Sequence, residues 1–307
     1  MDLYLPDLLT DLIPYLHIRY AYSLSDMNRQ ISSLIYMVSK LYSKHITDIS
    51  RFKHLVRLSL NSNVHINEIL PLTSLKYLSL WKNGKVKNIS HLTTITSLDL
   101  GSNSLIKDIS IFTNLTNLNL SFNKAIRTLP SANLLYLDLT YNSCISSIDN
   151  LTTLTTLDLT GNKLLEFNLR KFTNLTKLSI VQNKQYVPFN YLTNLTSLSI
   201  DFLYKIDDIS MLVNLRELEL HSNRSIADVS VFQKLTKLSI FHTNRINDIS
   251  MMTNLIKLEL LATNITDISM LTNLQYLAVR DSEKERLIFP PNHNIKIRHY
   301  RSEFSTH

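Results

Sequence analysis

Two sets of side chains in this sequence have types and spacing suited to chemistry at a surface. Tyr77, Trp81, Tyr136 and Tyr141 are large rings with a polar edge. Such rings join apolar area to a hydrogen-bonding tip, and they dominate binding energy at protein interfaces. Trp81 is the only tryptophan. The second set is Glu217, Glu219, His221, Phe241 and Glu259, with Lys237 and Lys257 beside them. It combines charge with stacking surface, which suits recognition of another protein. The plain alternative is a solvated sheet face with charge ladders across its strands.

Catalysis needs two or three positioned groups converging in a pocket. The ten histidines are scattered, with no His-x-x-x-His spacing, and there is one cysteine, so no metal site is expected. Three glycines leave no phosphate-cradling loop and no cofactor motif. The expectation is a binding protein and not an enzyme, with no cofactor and no small-molecule substrate.

The spacing of these residues identifies the elements that must hold them. A difference of two, as in Glu217, Glu219 and His221, places side chains on one face of a strand. A difference of 20, as between His221 and Phe241, is the step of a repeat. The pattern L-x-x-L-x-L, with its first residue as marker, starts at Leu55, Leu75, Ile95, Leu115, Leu134, Leu154, Leu175, Leu195, Leu215, Leu235, Leu255 and Leu274. Twelve units at a nearly fixed period define a solenoid. One such strand cannot bury its leucines alone, but stacked neighbours can, as one long parallel sheet.

An asparagine follows most strands, from Asn63 to Asn223, where its amide can serve backbone groups leaving the ladder. Leu203, Thr243, Thr263 and Ser282 take that place elsewhere. The return half of the unit repeats Asp-Ile-Ser or Asp-Val-Ser, as at Asp108, Asp208, Asp228, Asp248 and Asp267. There the aliphatic residue points inward while Asp and Ser cap a tight turn. This segment is too short for an α-helix, so 3₁₀ or extended turns are expected on the convex side. The scarcity of glycine implies few left-handed turns.

The motif L-x-x-L-x-L-x-x-N, with this short return, resembles the internalin-type leucine-rich repeat. The fold class that follows is an α/β repeat: a gently curved leucine-rich-repeat solenoid over residues 41–282, with a cap and loose basic tail over 283–307. Ile295 and Ile297 mark a last strand after Pro290-Pro291. In each strand the residues two, four and six after the marker face the concave side. The middle of these columns is acidic with no basic residue, although the chain carries a net charge of +7. That arrangement disfavours nucleic acid on this face.

The N-terminus carries a different pattern. Pro6 suits a first helical turn, and Leu8, Leu9, Leu12, Tyr15 and Leu16 follow helical spacing. Leu5-Pro6 followed by this helix and a second one resembles the F-box over residues 1–40. The resemblance implies docking onto the adaptor subunit of a cullin–RING ubiquitin ligase through Leu5, Pro6, Leu8, Leu9, Leu12 and Leu16. The repeats would then select an unknown protein substrate. The alternative is a plain leucine-rich-repeat interaction or inhibitor protein, whose N-terminal helices only cap the solenoid.

Composition, 44% hydrophobic, fits a folded soluble chain. With Cys144 alone, no secretory start and no long apolar stretch, a cytoplasmic location is expected, the nucleus remaining open, with no membrane association. The Asn-Leu-Thr triplets at Asn114, Asn174 and Asn194 are read as the repeat motif and not as glycosylation sites.

Overall fold

The computed structural model describes residues 40–42, 44–50, 52–162, 168–183, 188–201, 208–223, 225–291 and 293–300. The F-box-like residues Leu5, Pro6, Leu8, Leu9, Leu12 and Leu16 lie outside them, as does Leu203.

Each repeat contributes a short strand because apolar and polar residues alternate there, and within each unit every strand runs parallel to the next in chain order. The chain divides between Ile148 and Asp149 into two units. The first holds β1 (Lys40–Tyr42), β2 (Arg57–Ser59), β3 (Tyr77–Ser79), β4 (Ser97–Asp99), β5 (Asn117–Asn119) and β6 (Tyr136–Asp138). The second holds β7 (Thr156–Asp158), β8 (Lys177–Ser179), β9 (Ser197–Asp201), β10 (Glu217–His221), β11 (Lys237–Phe241), β12 (Lys257–Leu261), β13 (Tyr276–Val279) and β14 (Lys296–His299). β1 precedes the first marker and extends the pattern by one strand. β14 falls where Ile295 and Ile297 suggest a last one.

The register is exact in phase, so like stacks on like. Leu98 pairs with Leu118, and Leu218 with Leu238. Leu58, Leu78, Leu118, Leu238 and Leu258 are fully buried, as are Leu60, Leu80, Leu120 and Leu220 two residues on. At about 1.5–3 kcal/mol for each buried leucine, these columns supply the main drive for stacking.

The turn after the strand departs from expectation. The residue just before the asparagine has positive φ at Ser62, Lys82, Ser102, Phe122 and Tyr141 in the first unit. In the second unit the same holds at Gln182, Ser222, His242 and Ala262, and at Gly161. A left-handed turn therefore recurs with the repeat, almost always without glycine. Each costs an L-residue about 1–2 kcal/mol. Hydrogen bonds offset that cost. The Ser62 amide donates to the Trp81 carbonyl at 2.8 Å, Ser102 to Ser121 at 2.7 Å, and Ser222 to Phe241 at 2.7 Å.

The asparagine locks the same turn. Asn103 Nδ2 donates to the Asn83 carbonyl at 2.9 Å, and its Oδ1 accepts from the Leu105 and Ile106 amides at 3.0 Å each. Asn123 repeats this on Asn103, Ala125 and Ile126. Asn63, Asn83, Asn103 and Asn123 are buried, so each partner is needed. Thr243 does the job with a hydroxyl, donating to the Asn223 carbonyl and accepting from its amide. At the end of the series Ser282 is not the residue used. The chain enters the short helix α1 (Asp281–Lys284), which turns the buried Glu283 inward, and Glu283 Oε1 accepts from the Thr263 amide at 3.0 Å.

On the return side Asp108, Asp208, Asp228, Asp248 and Asp267 each accept the amide of the serine two residues on, at 2.8 Å. Hydrogen bonds from the serine, the hydroxyl foremost at Asp208 and the amide foremost at the other four, hold these carboxyls below the usual range. One return segment forms a 3₁₀ turn, Leu169–Lys171, capped by Asn168.

Asn103→Ala would leave one buried amide, one half-buried amide and one buried carbonyl without partners. At roughly 1 kcal/mol or more for each group, urea unfolding should show a loss of about 3 kcal/mol. Asn254→Ala, at an exposed position where Nδ2 donates to the Gln233 carbonyl at 2.9 Å, should cost less than about 1 kcal/mol. Equal losses would remove the special role of the inner asparagines.

Candidate functional site

In the first unit the strand face carries an aromatic group set on a hydrogen-bonded floor. Arg57 and Tyr77 are register partners on β2 and β3, and the Arg57 guanidinium lies 4.1 Å above the Tyr77 ring. Arg57 Nε also donates to the Tyr42 hydroxyl at 2.9 Å. Trp81 follows β3. Its indole rests over Gly101 of the next repeat, where a Cβ would collide with the ring. Gly101 is therefore required by Trp81, and not by backbone conformation. The Lys82 ammonium sits 4.2 Å from the centre of the indole, and Trp81 is half-buried, with one face supported. Beneath, the Ser79 hydroxyl lies 2.6 Å from Asn61 Oδ1 and 2.7 Å from Asp99 Oδ2. The same Asn61 oxygen accepts the Trp81 amide at 3.0 Å. These bonds fix the backbone that carries the indole.

Tyr136 lies half-buried on β6. Tyr141 occupies the left-handed turn position and stacks on Phe122, which holds that position one repeat earlier, with ring centres 5.0 Å apart. Both rings are exposed. Phe122 was absent from the sequence-derived set, because a turn residue shows its exposure only once the turn is known.

In the second unit Glu219, His221 and Phe241 contact one another in sequence, and Glu259 joins them through Tyr300. His221 Nε2 is 2.6 Å from Glu219 Oε1, and its ring stacks on Phe241 at 4.5 Å. The His221 hydrogen bond holds the Glu219 carboxyl below its usual range, against the opposing effect of burial. Glu259 Oε1 pairs with Lys257 Nζ at 2.6 Å, and Lys257 also lies 5.0 Å from the Tyr276 ring centre. Glu217 stands apart, exposed, and accepts from the Ser197 hydroxyl at 3.3 Å.

Tyr300, directly after β14, completes this cluster. Its hydroxyl donates to Glu259 Oε2 at 3.2 Å, and its ring meets Phe241 edge-on at 6.4 Å. Burial, together with the Glu259 charge, pushes its phenol far above the ordinary tyrosine range. The alternation Ile295, Ile297, His299 hints at a strand, but nothing in it shows that Tyr300 folds back over β11 and β12.

Among the described residues no group of three or more His, Cys, Asp or Glu could hold a metal ion. No helix among them is long and apolar enough to cross a membrane.

No protein-family model and no curated protein matches the sequence, so the F-box resemblance of residues 1–40 has no support beyond the motif. Among solved structures the chain is similar to the leucine-rich-repeat protein LIC12759 of Leptospira interrogans. That likeness covers 91% of this chain and 89% of that one, at 22% identity and a TM-score of 0.57. The fold is a leucine-rich-repeat solenoid. The solenoid is also similar to the functional domain of InlJ from Listeria monocytogenes, at 23% identity over 82% of this chain and 71% of that one, TM-score 0.46. A third likeness is to the internalin InlF of Listeria monocytogenes, at 23% identity over 87% and 84%, TM-score 0.44.

His221→Ala removes the hydrogen bond that lowers the Glu219 carboxyl and leaves the burial that raises it. In a carboxyl NMR titration Glu219 should move upward in the variant. Since a lowered carboxyl stabilises the fold above its unfolded value and loses that contribution as pH falls, the variant should also lose less stability on acidification. An unchanged Glu219 titration would mean the contact is absent in solution.

Proposed function

We propose that this solenoid is a protein-interaction module that takes one protein partner on its strand face, with Trp81 as the anchor. The observation that carries the reading is the seating of the indole. It rests on the one repeat position where a glycine makes room for it, with Lys82 against the ring and Asn61 fixing the backbone amide of Trp81. A large ring with its rotamer already restricted loses little entropy on binding, which is how aromatic hot spots reach high energies. Tyr77 under Arg57 adds a second pre-placed ring on the neighbouring column.

The reading needs no F-box. A ubiquitin-ligase receptor would add adaptor docking through residues 1–40, and that addition rests on the sequence motif alone. The module is therefore read as a plain interaction or inhibitor protein. Affinity purification of the full chain should recover a partner whose binding falls in Trp81→Ala by about 2 kcal/mol or more, roughly thirtyfold. Gly101→Ala, which keeps the indole but displaces it, should lower affinity in the same direction. Full affinity in both variants, with an unchanged melting temperature, would take the site off this face.

Replacing Leu5 and Pro6 together by Ala separates the two roles of the N-terminus. For a cap, thermal stability falls, by roughly 2 kcal/mol for lost leucine burial, and no ligase adaptor is recovered with either protein. Adaptor recovery with the wild type, lost in the variant at unchanged stability, would restore the ligase reading.

A further inference from the structure

The strand face is not the only surface this solenoid presents. In four successive repeats of the second unit, the return segment carries an aspartate and, three residues later, an exposed apolar side chain. The pairs are Asp208 and Met211, Asp228 and Val231, Asp248 and Met251, Asp267 and Met270. The four apolar side chains are 57, 41, 56 and 57% exposed, where neighbours such as Leu212 and Met252 are fully buried. Asp208, Ser210, Ile226, Asp228 and Val231 line one groove of about 250 Å³, which puts Val231 of the apolar column on the same face as two of the aspartates; the other three apolar residues hold the equivalent place in their repeats. The Asp248 charge is felt by both Asp228 and Asp267, which places the carboxylates in one row.

Neither column is demanded by the fold. Asn88 and Asn168 occupy the aspartate position in other repeats and make the same turn bond, to the Ser90 and Arg170 amides, without a charge. Three residues after them stand His91 and Lys171, both exposed and polar. The repeat tolerates a neutral cap and a polar residue there. A run of four acidic caps beside four exposed aliphatic or thioether side chains therefore exceeds what stacking requires.

We infer that this Asp–Met face is a second docking surface, and that its occupant is a basic amphipathic helix of a protein partner. Repeats follow one another at about 4.8 Å, close to the roughly 5.4 Å pitch of an α-helix. A helix laid along the stack can thus set one apolar residue per turn against Met211, Val231, Met251 and Met270. Its Lys and Arg side chains would meet the row of aspartates. Unbranched methionines adapt to such ridges better than stiffer side chains do. An acidic row excludes an anionic membrane surface, leaving a cationic helix as the complement.

The probe is a synthetic peptide of about three to four helical turns with leucines on one face and lysines on the other, titrated against the full chain by fluorescence anisotropy. Two controls are the same composition scrambled off one face, and the peptide with Glu for every Lys. The facial basic peptide should bind, the scrambled one on the order of tenfold more weakly, and the acidic one not at all. The combined variant M211S/M251S/M270S should lose about tenfold. D208N/D228N/D248N/D267N should lose a similar factor together with most of the salt dependence, because Asn keeps the turn bond and removes only the charge. If the serine variant melts early, Met251→Gln, which preserves length, replaces it and should weaken binding about threefold. Trp81→Ala should leave peptide affinity unchanged, which separates this surface from the strand face. Wild-type affinity in the methionine and aspartate variants, or equal binding of the scrambled or acidic peptide, would overturn the inference.

Discussion

A left-handed turn, present after ten of the described strands, governs this molecule. Strands of three to five residues cannot set their own phase, and the turn after each strand does it for them. Positive φ at Ser62, Lys82 or Ser102 swings the chain inward and aims the next side chain, an asparagine, into the space between repeats. There it closes its own turn with Oδ1 and reaches the previous repeat with Nδ2. Leucine burial supplies more energy, but burial has no direction. The turn and its asparagine turn a greasy stack into one with a single register, and every surface column inherits its alignment from that.

The strand face acquires its character from the same economy of local bonds. Asp99, Asp138 and Asp158 look like a row of free carboxylates in the sequence, yet each accepts the amide two residues on, from Gly101, Thr140 and Thr160 at 2.8 to 3.0 Å. Their charge is present while their freedom is gone. Interfaces built on such groups spend little entropy when a partner arrives. In the second unit the saturation goes further. Glu219, His221, Phe241, Glu259 and Tyr300 already satisfy one another, so a partner there would have to displace contacts, whereas at Trp81 it would only add them.

Much of the fold was legible because the leucine period reports burial directly: Leu115, Leu118 and Leu120 could face only inward. The Asp-x-Ser turns were legible for a similar reason, since bonding partners two residues apart are written side by side. The left-handed turns were not. Glycine is the usual sign of positive φ, and here Lys82, Phe122 and Tyr141 adopt it under tertiary hydrogen bonds that no local pattern announces. Glu283 and Tyr300 escaped as well. Each does its work where the repeat stops, and periodicity cannot speak about residues outside the period. Of the site residues, the columns were legible, but which carboxylates are already occupied depends on side-chain directions across repeats.

A stack that adds one parallel strand at a time has no internal reason to end. Among the described residues β14 is the strand at one edge of the sheet, and its outer row of backbone groups is one that a second copy could pair with. Its side chains oppose this. Lys296, Arg298 and His299 all stand exposed on the final strand, and His299 is paired with Asp281. A like-charged copy approaching that edge would have to bring further cations against these, and long charged side chains on an open edge are a recognised defence against sheet-to-sheet polymerisation. The exposed cations of β14 therefore work against edge-to-edge pairing of one solenoid with another, so the same strand that lengthens the sheet also discourages a copy from lengthening it further.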